Sequence, residues 1–172
     1  HTQLLRETLY KEMTNRLADS EISVPYLDNG YLYRKVYNAD ADYPLYQRKP
    51  ADSDLAIWTT VLEVTDLSGE AEYVEVDWLE PSPNNHLLSF SMDTTGNYEY
   101  EIRFINLITG KVLADRIPGT WGPCIWSHDS KVVYFNVKDP VTNRVGEVKS
   151  HRVGYDNSSD KTLYFETDST YS

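Results

Sequence analysis

Cysteine is nearly missing from this sequence. Cys124 is the only one in 172 residues, so no disulfide can close within the chain. Nothing argues for an oxidising compartment, and a cytoplasmic location is expected. Basic charge is scarce as well: 16 Lys and Arg stand against 27 Asp and Glu, a formal net charge of −11. A surface this acidic repels phosphate backbones, and no Lys/Arg cluster is visible along the chain, so no nucleic-acid partner is expected. No apolar run approaches the ~20 residues that span a bilayer, and no secretory leader is present, so no membrane partner is expected either.

The motifs of common active sites are missing too. None of the eight glycines has a Ser two positions later, so no Gly-x-Ser-x-Gly elbow exists. Gly119-Thr120-Trp121-Gly122 lacks the lysine and helix of a phosphate-cradling loop, and no His-Glu-x-x-His pair offers a zinc site. His1, His86, His128 and His151 show no ligand spacing and read as solvated or capping residues. His128-Asp129-Ser130 holds three triad residue types, but neighbours in a tight turn cannot form a Ser–His–Asp relay. Cys124, in Pro123-Cys124-Ile125-Trp126, has nothing basic beside it in sequence to activate the thiol. Asn157-Ser158-Ser159 matches a glycosylation acceptor but reads first as a polar turn. No catalytic residue, cofactor or metal is expected in this chain.

What the chain has in abundance is tyrosine, with 14 copies, and four tryptophans beside it. Large rings with polar tips suit pleated, half-buried surfaces. The first 20 residues differ: Leu5, Leu9, Met13 and Leu17 recur every fourth position, a helix with one apolar stripe. After Leu27-Asp28-Asn29-Gly30 the period becomes two. GYLYRKVY (30–37), YPLYQRK (43–49), IWTTVLEV (57–64), YVEVDWL (73–79), HLLSFSMD (86–93), the run from Tyr98 to Phe104 and KVLADRI (111–117) read as strands. Tyr98, Tyr100, Ile102 and Phe104 share one side of their strand; Val74, Val76 and Trp78 share one side of theirs. After Pro118-Gly119, taken as a break, four more strands follow. About a dozen strands joined by turns, with no helix between them, mean an all-β protein of meanders.

The strands repeat. Trp78 to Phe90 can be laid over Trp126 to Phe135 at an offset of 45 to 48 residues, with a short insertion in the first copy. Gly110-Lys111-Val112-Leu113 echoes Asp160-Lys161-Thr162-Leu163, and Gly30 to Tyr33 forms a weaker earlier copy. Four short strands every 40 to 50 residues are the arithmetic of a β-propeller blade. Three blades fit, roughly 21–70, 71–118 and 119–172, behind a helical extension at 1–20. Because propellers close with about four to eight blades, this is read as part of a ring. A chain that opens on His1 rather than Met is read as a piece of something longer, and the isolated piece is expected to self-associate through its uncovered edges.

Within that frame, HTQLLRETLYKEM with SVPYLDNGYLYRKVY, then DYPLYQRK, SFSMDTTGNYEYEIRFINLITGK and DRIPGT…WSHDSKVVYF resemble the oligopeptidase B branch of the prolyl oligopeptidase family of serine peptidases. The resemblance spans nearly the whole chain in motif order and is weakest from Pro50 to Glu72. It implies a seven-bladed propeller over an α/β-hydrolase domain that carries the catalytic Ser, Asp and His. That domain, absent from this chain, would be its partner, and residues 1–20 would lean on it. The implied activity is cleavage of short peptides after Arg or Lys, with the propeller filtering access and the chain alone inactive. Glu70, Glu72, Glu75, Asp77, Glu99 and Glu101 then admit two readings: the solvent side of half-buried strands, or a rim attracting basic peptides. Trp78 and Trp126 read as packing between blades. Two rivals stand: a non-enzymatic scaffold that binds partners, and a proline-specific member of the same family.

Overall fold

A computed structural model describes residues 2–14, 20–39, 41–69, 71–168 and 170. Contacts divide the chain into two compact units, His1–Leu27 with Tyr31–Thr65, and Asp28–Gly30 with Asp66–Ser172. The first begins with helix α1 (Thr2–Thr14). Leu5 and Leu9 of its apolar stripe are exposed; the side chains of Leu4 and Met13 and all of Leu17 lie outside the described residues. Strands β1 (Ser20–Ile22), β2 (Tyr26–Asp28), β3 (Tyr31–Asn38), β4 (Leu45–Pro50) and β5 (Thr59–Glu63) follow. The sheet runs β3-β4-β5, with both β1 and β2 pairing with β3. Tyr33, Tyr46, Leu62 and Val64 are buried.

The ladder sets Leu32 opposite Lys49, Tyr33 opposite Arg48, Arg34 opposite Gln47 and Lys35 opposite Tyr46, so the four cations divide between the two faces, Arg34 with Lys49 and Lys35 with Arg48. Each cation lies over a ring: Arg34 and Lys49 over Trp58 at 4.1 and 5.5 Å, Arg48 over Tyr31 at 4.3 Å, Lys35 over Tyr46 at 5.2 Å. Each ring face attracts the cation above it and partly compensates its charge.

One helical turn, α2 (Thr65–Ser68), and a 3-10 turn at Asn157–Ser159 interrupt the strands, where the sequence pattern predicts no helix. The second unit contains β6 (Glu75–Pro81), β7 (Leu87–Asp93), β8 (Tyr100–Asn106), β9 (Val112–Trp126), β10 (Val132–Lys138), β11 (Val145–Arg152) and β12 (Lys161–Phe165). They form one seven-stranded path in chain order. Pro118-Gly119 therefore does not end a strand. The first half of β9 pairs with β8 and the second half with β10, and Thr120 lies opposite both Tyr100 and Val137. One extra residue between Ile117 and Thr120 makes a bulge, with Gly119 at φ +68°. A bulge tolerates the proline because its ladder bond is already missing, and it bends the chain from one partner to the next. Two four-stranded blades thus share one strand.

The blades pack face to face. Ile102, Phe104 and Ile117 of one meet Cys124, Val133 and Phe135 of the other in a common core. Small residues on β7 let the next blade approach: Ser89 and Ser91 are buried, and Ser91 Oγ donates to the Gly122 carbonyl at 2.6 Å. Two residues leave the predicted alternation. Tyr98 precedes β8 at φ +59° and is exposed; Trp78 has φ +46° at a register shift between Asp77 and Glu80. The repeat itself is tight at the turns. Ser82 Oγ accepts from Leu87 N–H at 3.0 Å and lies 2.8 Å from Asn84 Oδ1; Ser127 Oγ accepts from Val132 N–H at 2.9 Å and donates to Asp129 Oδ1 at 2.7 Å. Asn85 and Ser130 close the two turns at φ +57° and +60°.

Candidate functional site

The acidic residues singled out in the sequence do not form one rim. Glu75 and Asp77 alternate along β6, half-buried, with Asp93 directly opposite Glu75 in the ladder. Tyr73 Oη donates to Glu75 Oε2 at 3.1 Å, and Tyr100 Oη donates to the same oxygen at 3.4 Å. Burial, then the charges of Glu75 and Asp77, push the Tyr100 phenol up to about 12, so it stays a donor at any physiological pH. Asp93 is only 1% exposed. Burial alone would raise its carboxyl, but hydrogen bonds from Thr95, Tyr98 and Gly96 outweigh that and hold it below the ordinary carboxylate range. It organises the Asp93–Tyr98 turn.

Glu72 and Glu99 are exposed. Glu101 is already paired, 2.6 Å from Arg103 Nε and 4.0 Å from Arg116 Nη1. Glu70 lies outside the described residues. Glu75 and Asp77 therefore remain as the adjacent, accessible carboxylates on the first strand of their blade.

The groups that resemble catalytic ones are occupied otherwise. Burial pushes the Cys124 thiol up to about 12, only partly offset by its contact with Ser89 Oγ at 3.2 Å; such a thiol is a poor nucleophile. His128 is exposed, Asp129 is bound to Ser127, and Ser130 Oγ accepts from Asn84 N–H at 3.1 Å, so the three form a turn and a link between blades. Asn157 Nδ2 donates to the Arg116 carbonyl at 2.6 Å. Trp126 Nε1 donates to the Glu80 carbonyl at 3.0 Å while its ring meets Phe104 edge-on. The Trp78 ring packs edge-on to Tyr100 and covers Gly122, where an added Cβ would lie 2.5 Å from the indole. Both tryptophans pack between blades.

His86 is exposed and His1 lies outside the described residues, but His151 corrects the expectation of a solvated ring. It is fully buried, with Nδ1 2.7 Å from Asp160 and Nε2 3.1 Å from Asp115, and it stacks on Phe104. Both nitrogens face carboxylates, which leaves neither free to ligate a metal. Asp115 lies on the first half of β9 and His151 on β11, so the ring clamps neighbouring blades. Nothing local in the sequence joins residues 36 positions apart.

Twisted antiparallel four-stranded blades, packed face to face and handing the chain on through a shared strand, define a portion of a β-propeller. The family model described as "Prolyl oligopeptidase, N-terminal beta-propeller domain" matches residues 1–172, and the chain belongs to this family, whose members are serine peptidases. Dipeptidyl aminopeptidase BI of Pseudoxanthomonas mexicana is 32% identical over 97% of this chain and 25% of its own length. Protease 2 of Moraxella lacunata is 28% identical over 96% of this chain and 25% of its own length. Among solved structures, oligopeptidase B from Leishmania major superposes with a TM-score of 0.85 at 28% identity, over 96% of this chain and 23% of that one. The Trypanosoma brucei enzyme in its antipain-bound closed form gives 0.80 at 27%, over 94% and 23%. The chain thus spans about a quarter of the length of these relatives.

Proposed function

We propose that this chain is the access-controlling propeller portion of an oligopeptidase B-like serine endopeptidase that hydrolyses short peptides after Arg or Lys. The observation that carries the reading is the likeness to oligopeptidase B over 96% of the chain, at the level of both sequence and backbone. The hydrolysis itself, through a serine acyl-enzyme, belongs to a C-terminal hydrolase domain. The propeller's part is to exclude folded proteins and to attract basic peptides. The second unit favours this, with 18 acidic against 9 basic side chains and with Glu75 and Asp77 in no ion pair among the described residues. Long-range attraction of this kind raises encounter rates and weakens with salt.

The test is hydrolysis of amino-blocked peptides ending in Arg, Lys or Pro by the full-length parent, beside the 172-residue chain alone. Cleavage after Arg and Lys by the parent, and none by the chain, is the expected result. Preference for Pro moves the parent to the proline-specific branch. A strict need for a free amino terminus favours instead the activity named in the relative from Pseudoxanthomonas mexicana.

A further inference from the structure

The second unit holds a cavity of about 450 Å³ where β8, the bend of β9 and the end of β10 meet; Glu99, Glu101, Arg103, Arg116, Gly119 and Lys138 contribute to its wall. That volume suits a small ligand. Its charges run against the surrounding trend, with three cations against two carboxylates in a strongly acidic unit. Arg103 and Arg116 are directly opposite in the β8–β9 ladder, a placement that repels unless a counter-charge is supplied. The protein supplies one carboxylate for the two: Glu101 Oε1 lies 2.6 Å from Arg103 Nε but 4.0 Å from Arg116 Nη1. The Arg103 side chain is 11% exposed and Arg116 61%, so one guanidinium is fixed in the wall and the other is free to close on a ligand. Lys138 Nζ is anchored nearby on the Tyr98 carbonyl at 3.1 Å, over the Trp121 ring. Two guanidinium forks are the geometry that recognises a carboxylate.

We propose that this cavity binds the C-terminal carboxylate of a short peptide, bridged between Arg103 and Arg116. Met92, Tyr100, Pro118 and Pro140 give it apolar wall for the adjoining residue, and Gly119 leaves the backbone at the bulge open, with no atom within 4 Å of an added Cβ. Exposed Glu99 favours a basic last side chain, which makes the ligand a product peptide ending in Arg or Lys. That last preference rests on the Arg/Lys reading above, whereas the need for a carboxylate does not.

The test is calorimetric titration of the protein carrying residues 1–172, with any catalytic serine blocked, using a tripeptide ending in Arg as free acid, its C-terminal amide, and the Ala-ended acid. The free acid is expected to bind at least about tenfold more tightly than the amide, and the Ala-ended acid to fall between them. Arg116→Gln should abolish that difference, with Arg116→Lys intermediate because it keeps charge and loses the fork. Glu101→Gln should tighten binding about two- to threefold by removing a competing carboxylate, a direction that general loosening of the fold would not produce. Equal binding of acid and amide, or no effect of Arg116→Gln, overturns the site. Acetate competing as well as the peptide acid overturns the peptide assignment. Cleavage preference is measured separately, so failure there would leave the acid–amide comparison intact.

Discussion

The two blades of the second unit use the same parts 45 residues apart and differ in what covers them. Leu88 matches Val133 and Phe90 matches Phe135, and all four are buried. On the opposite faces the match ends: Ser89 and Ser91 are 1% exposed, while their counterparts are Tyr134, 39% exposed, and Asn136, also exposed. The same contrast runs through the loops. Asp93 is buried and accepts from Thr95, Gly96 and Tyr98; Asp139 accepts from Val141 and Thr142 in the open. The first blade is covered on that face by its successor. On the second, Ile125, Tyr134 and Tyr164 are left as an exposed apolar stripe, the surface a following blade would cover. Blade repeats therefore preserve turn chemistry, while burial depends on the neighbour.

The comparison breaks most visibly at the covered core. Phe104→Ala removes a fully buried ring shared by both blades and is expected to cost about 4 kcal/mol in urea unfolding. Tyr134→Ala on the uncovered face should cost less than about 1 kcal/mol. Similar losses for the two would mean that Tyr134 is covered in solution. The isolated chain is expected to self-associate through this stripe, so sedimentation should show oligomers that Ile125→Asp diminishes. A monodisperse monomer would remove the need for a covering blade.

Next in size is the pair of aspartates. Asp93→Ala strips a buried turn of its acceptors and should cost about 3 kcal/mol, against about 1 kcal/mol for Asp139→Ala. Acid sharpens the contrast. Because the folded carboxyl of Asp93 is held below its ordinary value of 3.8, its contribution is fully present above that value. It is lost as pH falls through the lower, folded value. Unfolding free energies measured between pH 5 and pH 2 should fall less steeply in Asp93→Asn than in the parent sequence; an unchanged slope would show that the turn does not depend on this ionisation.

Much of this architecture was legible because the signals were local. Period-two runs located β3, β4, β7, β8 and β10, and the Ser82 and Ser127 turns announced the repeat. What escaped was set by pairing. Pro118-Gly119 carries turn chemistry, yet partners on both sides keep β9 extended through it. Trp78 and Tyr98 leave the alternation through left-handed backbone that no side-chain pattern encodes. The sharing of the Trp58 ring by Arg34 and Lys49 exists only once the β3–β4 register is known. The candidate site fared similarly: Glu75 and Asp77 were visible as alternating acids, but pairing of Glu101 with Arg103 and Arg116, and of His151 with Asp115 and Asp160, needs strands brought together in space.

The smallest difference is the most controlled, since it compares one hydroxyl in two copies of one turn. Ser82 is fully buried, and its Oγ lies within hydrogen-bonding distance of Asn84 Oδ1, the Leu87 carbonyl and the Leu87 amide. Ser127 makes the equivalent bonds to Asp129 and Val132 but is only partly buried. Removing a hydroxyl costs little where water can replace it and more where its partners stay dry. Ser82→Ala should therefore cost about 1.5 kcal/mol and Ser127→Ala about 0.5 kcal/mol. Unequal losses in this order assign the difference to the covering blade. Equal losses would place the cost in the turn itself, because both copies share its backbone and left-handed closing residue, and burial would then be no guide to which blade tolerates change.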